Sequence, residues 1–95
     1  MTSEKTIEKK FCDCVKAHGG LALKFSSPSY VGVPDRIVLF PNGKIFFVEL
    51  KSPNGTVRPI QQFVFNKFAE FGFPVHVIYN SKMIDSFFDD YISEK

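Results

Sequence analysis

The chain has 95 residues, 44% of them apolar and 23% charged, which fits one globular domain (taken here as residues 1–95) and excludes a disordered segment. Twelve phenylalanines and no tryptophan are many rings for so small a core, so part of the set is expected to be covered by a partner chain. The net charge of +2 permits a nucleic-acid partner without arguing for one, and no stretch is apolar enough to direct secretion or cross a membrane, which together with two cysteines read as free thiols suggests the cytoplasm.

The spacing of Ile7, Phe11, Cys14 and Val15 makes one apolar stripe and predicts a helix over 3–18, stopped by the glycines after His18. Cys12 and Cys14 point to nearly opposite sides of that helix, so they cannot bridge each other, and they lack the spacing and companions of a zinc site. Residues 21–25 alternate as a strand, and 26–34 form a turn-rich loop. Residues 35–40 and 44–51 are strands rich in β-branched and aromatic side chains, followed by a second loop over 52–59. Pro59 suits the first turn of a helix carrying Ile60, Val64, Phe68 and Phe71 on one stripe and ending near Gly72. A strand over 75–79 and a helix over 82–92 complete the order α-β-β-β-α-β-α. A helix between the third and fourth strands implies a parallel crossover, hence an α/β fold with a mixed sheet.

The hairpin connection decides which side chains share a face. A two-residue turn at Asn42-Gly43 would pair Pro41 with Lys44 and set Asp35 opposite Leu50. A type I turn over Phe40-Pro41-Asn42-Gly43, with Gly43 left-handed, pairs Phe40 with Lys44 and sets Asp35 opposite Glu49. The second is preferred, because proline hinders strand pairing at 41. It gathers Asp35, Glu49 and Lys51 on one face at the open end of the hairpin. Opposed carboxylates destabilise a sheet, and a divalent metal between them would compensate; a plain alternative is solvated strand ends with Lys51 as their ion-pair partner.

The spelling "PD…ELK" across Pro34, Asp35, Glu49, Leu50 and Lys51 resembles the PD-(D/E)xK nuclease superfamily. "IEKK" (7–10), "GGLALKF" (19–25), "GVPDRIVLFPNGKIFFVELKSPNG" (32–55), "RPIQ" (58–61) and "FGFPVHVIYN" (71–80) are similar, in this order, to its VRR-NUC branch, and the size resembles the stand-alone phage and bacterial forms. The resemblance implies a restriction-endonuclease-like fold, a mixed central sheet flanked by helices. It implies Mg²⁺ or Mn²⁺ held by Asp35, Glu49 and the Leu50 carbonyl, with Glu8 completing a second metal position. Lys51 would orient the attacking water or stabilise the phosphorane, a role preferred over plain general base because acids flank it. Gln61 would bind a metal water or a phosphate oxygen, and Lys24 and Arg58 would contact phosphates. Each also has an ordinary reading as a surface residue, and His18 and His76 match no catalytic position.

Two function classes follow. One is a metal-dependent endonuclease of branched DNA, with a four-way (Holliday) junction as the plausible substrate and flaps and duplex remaining open. The other is a non-catalytic DNA- or protein-binding module, which needs no acidic cluster beside a phosphate backbone. A symmetric homodimer is expected, since two matched cuts need two sites, with Phe63, Phe65, Phe87 and Phe88 as candidates for its apolar interface.

Overall fold

The computed structural model describes residues 3–92; the outermost residues of the expected 1–95 domain lie outside this range. The elements are α1 (Glu4–Ala17), β1 (Leu21–Lys24), β2 (Arg36–Phe40), β3 (Lys44–Leu50), α2 (Pro59–Glu70), β4 (Val75–Ile78) and α3 (Ser81–Tyr91), the expected order. The Ser3 side chain caps α1 by accepting from the Thr6 N–H at 3.2 Å. Its C-terminus closes through Gly19, with φ of 80°, where Gly20 N–H reaches the Val15 carbonyl at 2.9 Å. Asn80 caps α3 through its Oδ1, which accepts from Met83 N–H at 2.8 Å.

One four-stranded sheet runs in the order β1-β2-β3-β4, antiparallel except for the parallel β3–β4 pair that the α2 crossover requires. Phe40 pairs with Lys44 and Arg36 with Val48, the register of the three-residue connection. The turn itself is not type I: Asn42 is left-handed, with φ of 71° and ψ of 23°, and so is Gly43. Asparagine tolerates that region, and positive φ at both residues is what a two-residue type I′ turn at Asn42-Gly43 requires, so the connection combines that feature of the first reading with the register of the second.

The sheet has two unlike faces. Val38, Phe40, Val48 and Leu50 join Ile7, Phe11 and Val15 of α1 and Ile84, Phe87 and Phe88 of α3 in the core. On the other face α2 packs with Phe68 edge-on to Phe47. The buried stripe of α2 is Gln61, Val64 and Phe65, whereas Ile60 and Phe71 are exposed, so the Ile60/Val64/Phe68/Phe71 stripe expected from the sequence is rotated.

Phe65, Phe87 and Phe88 are not the exposed rings the sequence suggested: Phe87 is 4% and Phe88 5% accessible. Both fit because Phe88 packs on Phe11, Phe40 and His18, while its neighbour Phe87 turns to Phe46, His76 and Tyr91. The exposed apolar residues lie elsewhere and include Leu21, Leu23, Ile45, Phe63 and Phe71. Among the described residues no helix is long and apolar enough to cross a membrane, and both cysteines are free.

Candidate active site

The chain delivers Asp35, Glu49, Lys51 and Gln61 to one place, at the carboxyl end of β3. Asp35 stands one residue ahead of the β2 ladder, and its carbonyl accepts from Phe25 N–H at 2.7 Å, closing the loop over 26–34 at its base. The Asp35 N–H donates to Glu49 Oε1 at 3.1 Å, and Leu50 N–H donates to Asp35 Oδ2 at 2.9 Å. Each carboxylate thus takes an amide from the opposite strand, which continues the register and joins the pair that sequence reasoning placed on one face.

Gln61 enters from the first turn of α2. Its Nε2 donates to Glu49 Oε2 at 3.0 Å, and its Oε1 accepts from Lys51 Nζ at 3.2 Å and from Arg58 N–H at 3.0 Å. Lys51 Nζ also lies 3.1 Å from Glu49 Oε2. Its backbone N–H reaches the Ile78 carbonyl at 2.9 Å, which ties the site to β4. The Gln61 amide therefore bridges Glu49, Lys51 and the entry to α2, so it holds other site residues in place instead of presenting a free amide to a phosphate.

Glu49 is 2% exposed. Burial pushes its carboxyl pKa up, and the Asp35 charge pushes the same way, against Lys51 and Gln61. Ionised Glu49 is thus costly until further positive charge arrives. Asp35 Oδ1 has no hydrogen-bond partner among the described residues and can take a ligand. The donors are oxygens, a chemistry suited to hard divalent ions. Among the described residues no three of His, Cys, Asp and Glu come together as a metal-holding group, so the clustered carboxylates number two. Mg²⁺ accepts such a set because it keeps several waters. Burial raises the Cys12 thiol pKa, so a thiolate is not on offer nearby.

Glu8 approaches from the other face of the sheet and is already engaged: its Oε2 lies 2.7 Å from Arg36 Nη2. Glu8 and Asp35 nonetheless line a common cleft of about 260 Å³, together with Lys24 and Arg36. Lys24 is the cross-strand neighbour of Arg36. Lys24 lines the cleft and Arg58 is exposed just ahead of Pro59, its backbone N–H donating to Gln61; neither side chain is paired with the carboxylates. Sequence reasoning missed Arg36. Its signal was an arginine in the alternating series 36, 38, 40, whose other members are core residues. His18 donates from Nδ1 to the Cys14 carbonyl at 2.8 Å, and His76 lies among Phe46, Phe87 and Tyr91, both away from the site.

Comparison with known proteins bears on the family and the fold. The model of the VRR-NUC domain family matches residues 3–82. A solved structure described as "VRR_NUC domain" superposes with a TM-score of 0.87 at 33% identity, covering 96% of this chain and 99% of that one. A protein of Acyrthosiphon pisum secondary endosymbiont phage 1, named "Putative nuclease p44", is 52% identical over 58 residues, which is 61% of this chain and 62% of the phage protein.

Proposed function

The chain belongs to the VRR-NUC domain family, and from that premise we propose that it is a Mg²⁺- or Mn²⁺-dependent endonuclease that hydrolyses phosphodiester bonds in branched DNA as a homodimer. The observation that carries the reading is the cross-strand pair of Asp35 and Glu49, whose carboxylates each accept an amide from the opposite strand while that of Glu49 is buried. A fold gains nothing from opposing like charges there, whereas a divalent ion needs them. Asp35, Glu49 and the Leu50 carbonyl would hold the ion, with Glu8 serving a second position across the shared cleft. When bound, the ion supplies Lewis-acid polarisation of the phosphate and a lowered pKa for its water.

The protein's own groups supply the rest. Lys51, held between Glu49 and Gln61, directs an ammonium at the charge that develops on the phosphate and orients the attacking water. Gln61 fixes both partners of that contact. Lys24 and Arg58 contact flanking phosphates and position the strand without reading bases.

The dimer part of the proposal rests on a different surface from the one the sequence suggested. Leu21, Leu23 and Ile45 are exposed, and they lie in cross-strand rows with Leu39, Ile37 and Phe47 on the face opposite the core. A second copy covering these rows would hide the apolar surface and supply a second site, as two matched cuts across a two-fold junction require. Four-way junction, flap, splayed-arm and duplex DNA, each incubated with Mg²⁺ and with Mn²⁺, test the proposal. Junction cleavage that needs metal and disappears in Glu49→Ala is the expected result. Metal-independent cleavage, or activity surviving in purified Glu49→Ala, would overturn it.

A further inference from the structure

Arg36 has no role so far, yet among the described residues its Nε is the one buried side-chain polar atom without a hydrogen-bond partner. Positions 38 and 40 of β2 are core residues, and an apolar side chain at 36 would complete that face. Instead a guanidinium sits there at 8% exposure. Burying a cation is costly unless it is fully paired. Arg36 is not: Nε is buried without a hydrogen-bond partner. The remaining contacts are a 3.3 Å bond from Nη1 to the Ala22 carbonyl and the 2.7 Å contact from Nη2 to Glu8. A residue kept only for stability would be better replaced by leucine or methionine, so the contact with Glu8 is what distinguishes it.

Its position gives that contact a direction. Arg36 follows Asp35 directly, and strand alternation sends the two side chains to opposite faces. Asp35 thereby meets Glu49 on the α2 side, while Arg36 catches Glu8 on the α1 side. Because Glu8 and Asp35 line the same cleft, the residue after Asp35 sets where the Glu8 carboxylate stands relative to Asp35.

We infer that Arg36 is a positioning residue that acts through Glu8. It fixes the helix carboxylate at the mouth of the cleft so that Glu8 and Asp35 present a joint oxygen site for a divalent ion. This rests on the reading of Glu8 as a metal ligand given above. Arg36 itself touches neither ion nor substrate.

A double-mutant cycle tests it, read by direct Mn²⁺ binding (loss of the free-ion electron paramagnetic resonance signal) on the protein without DNA. The variants are Glu8→Gln, Arg36→Gln, Arg36→Lys and the double variant Glu8→Gln/Arg36→Gln, each checked by thermal unfolding. Arg36→Gln is expected to weaken Mn²⁺ binding about 10-fold, the usual size of an outer-shell effect. In the Glu8→Gln background the same change is expected to alter binding less than about 2-fold, because a residue that acts only through Glu8 has nothing left to position. Arg36→Lys keeps the buried charge and guards against a folding artefact; it is expected to bind Mn²⁺ with an affinity between parent and Arg36→Gln. Independent, multiplying effects, or parent-like binding in Arg36→Gln beside weakened binding in Glu8→Gln, would overturn the inference. Parent-like binding in Glu8→Gln would instead overturn the reading of Glu8 as a ligand, and this inference with it.

Discussion

Asp35 and Glu49 are joined from backbone to side chain: the amide of Asp35 donates to Glu49 Oε1 at 3.1 Å. The reciprocal bond runs from Leu50 N–H to Asp35 Oδ2, so the ends of two strands are stitched by the groups assigned to the chemistry. Asp35→Asn keeps an oxygen for Leu50 and removes one of two opposed charges. It is expected to abolish cleavage while raising the melting temperature of the metal-free protein by a few degrees, since opposed like charges cost roughly 0.5–1 kcal/mol. Thermal unfolding in chelator and a cleavage assay check both halves.

The same pair sets a pH dependence. Burial and Asp35 raise the Glu49 pKa in the folded protein, so across the window from the ordinary carboxylate value up to the raised one the folded state holds more protons than the unfolded. Stability from this group is therefore present at acid pH and lost as pH rises through the folded-state pKa. The melting-temperature advantage of Asp35→Asn over the parent, in chelator, is expected to widen over that rise; a constant difference would contradict the assignment.

Gln61→Ala removes the amide that joins Glu49, Lys51 and the Arg58 backbone. A buried carboxylate loses a donor, and Lys51 loses one of its two anchors. The expected cost is about 1–3 kcal/mol of stability and on the order of 100-fold in cleavage rate. Gln62→Ala, which breaks only an exposed 2.8 Å bond to Asn66, is the control and is expected to match the parent in both.

His76 gives a separate pH signature. Burial holds its pKa below the usual histidine value. As pH falls through about 6.5 the unfolded chain takes a proton that the folded protein refuses, so stability drops toward acid. His76→Phe, set among Phe46, Phe87 and Tyr91, is expected to lose less stability than the parent between neutral pH and pH ~5.5, as measured by urea unfolding.

Leu23→Glu and Ile45→Lys place charges on the exposed rows of the sheet. Light scattering is expected to show these variants at the monomer mass of 10.8 kDa and the parent at twice that value. A monomeric parent would remove the dimer from the proposal and leave the single site intact.

The sequence made the site's near side readable and hid its far side. Register at Phe40–Lys44 was predictable because proline resists strand pairing, and with it came the contact of Asp35 and Glu49. The turn conformation was not, because an Asn-Gly step is compatible with several left-handed arrangements. The α2 stripe was misread because Gln61, Val64, Phe65 and Phe68 satisfy the same helical spacing as the all-apolar alternative. Only Glu49, Lys51 and the Arg58 amide make a buried glutamine tolerable, and those partners are visible only in three dimensions. The pairing of Arg36 with Glu8 was hidden for the same reason: it spans two distant segments, and neither periodicity nor propensity reports a partner across such a gap.

The closure of the 26–34 loop has an evolutionary consequence. Asp35 has its backbone amide engaged by Glu49 and its carbonyl by Phe25, so the loop hangs from a fixed stem. Apart from Gly32, whose backbone lies so near Ile60 and Val64 that a Cβ would meet them at 2.9–3.0 Å, its exposed apex at Tyr30 and Val31 is held by little. Doubling the length of such a loop costs only about 0.6 kcal/mol in closure entropy. Descendants of this chain can therefore lengthen, shorten or respell the apex while inheriting the acids unchanged. The apex and the paired acids are thus free to diverge at different rates within one small domain.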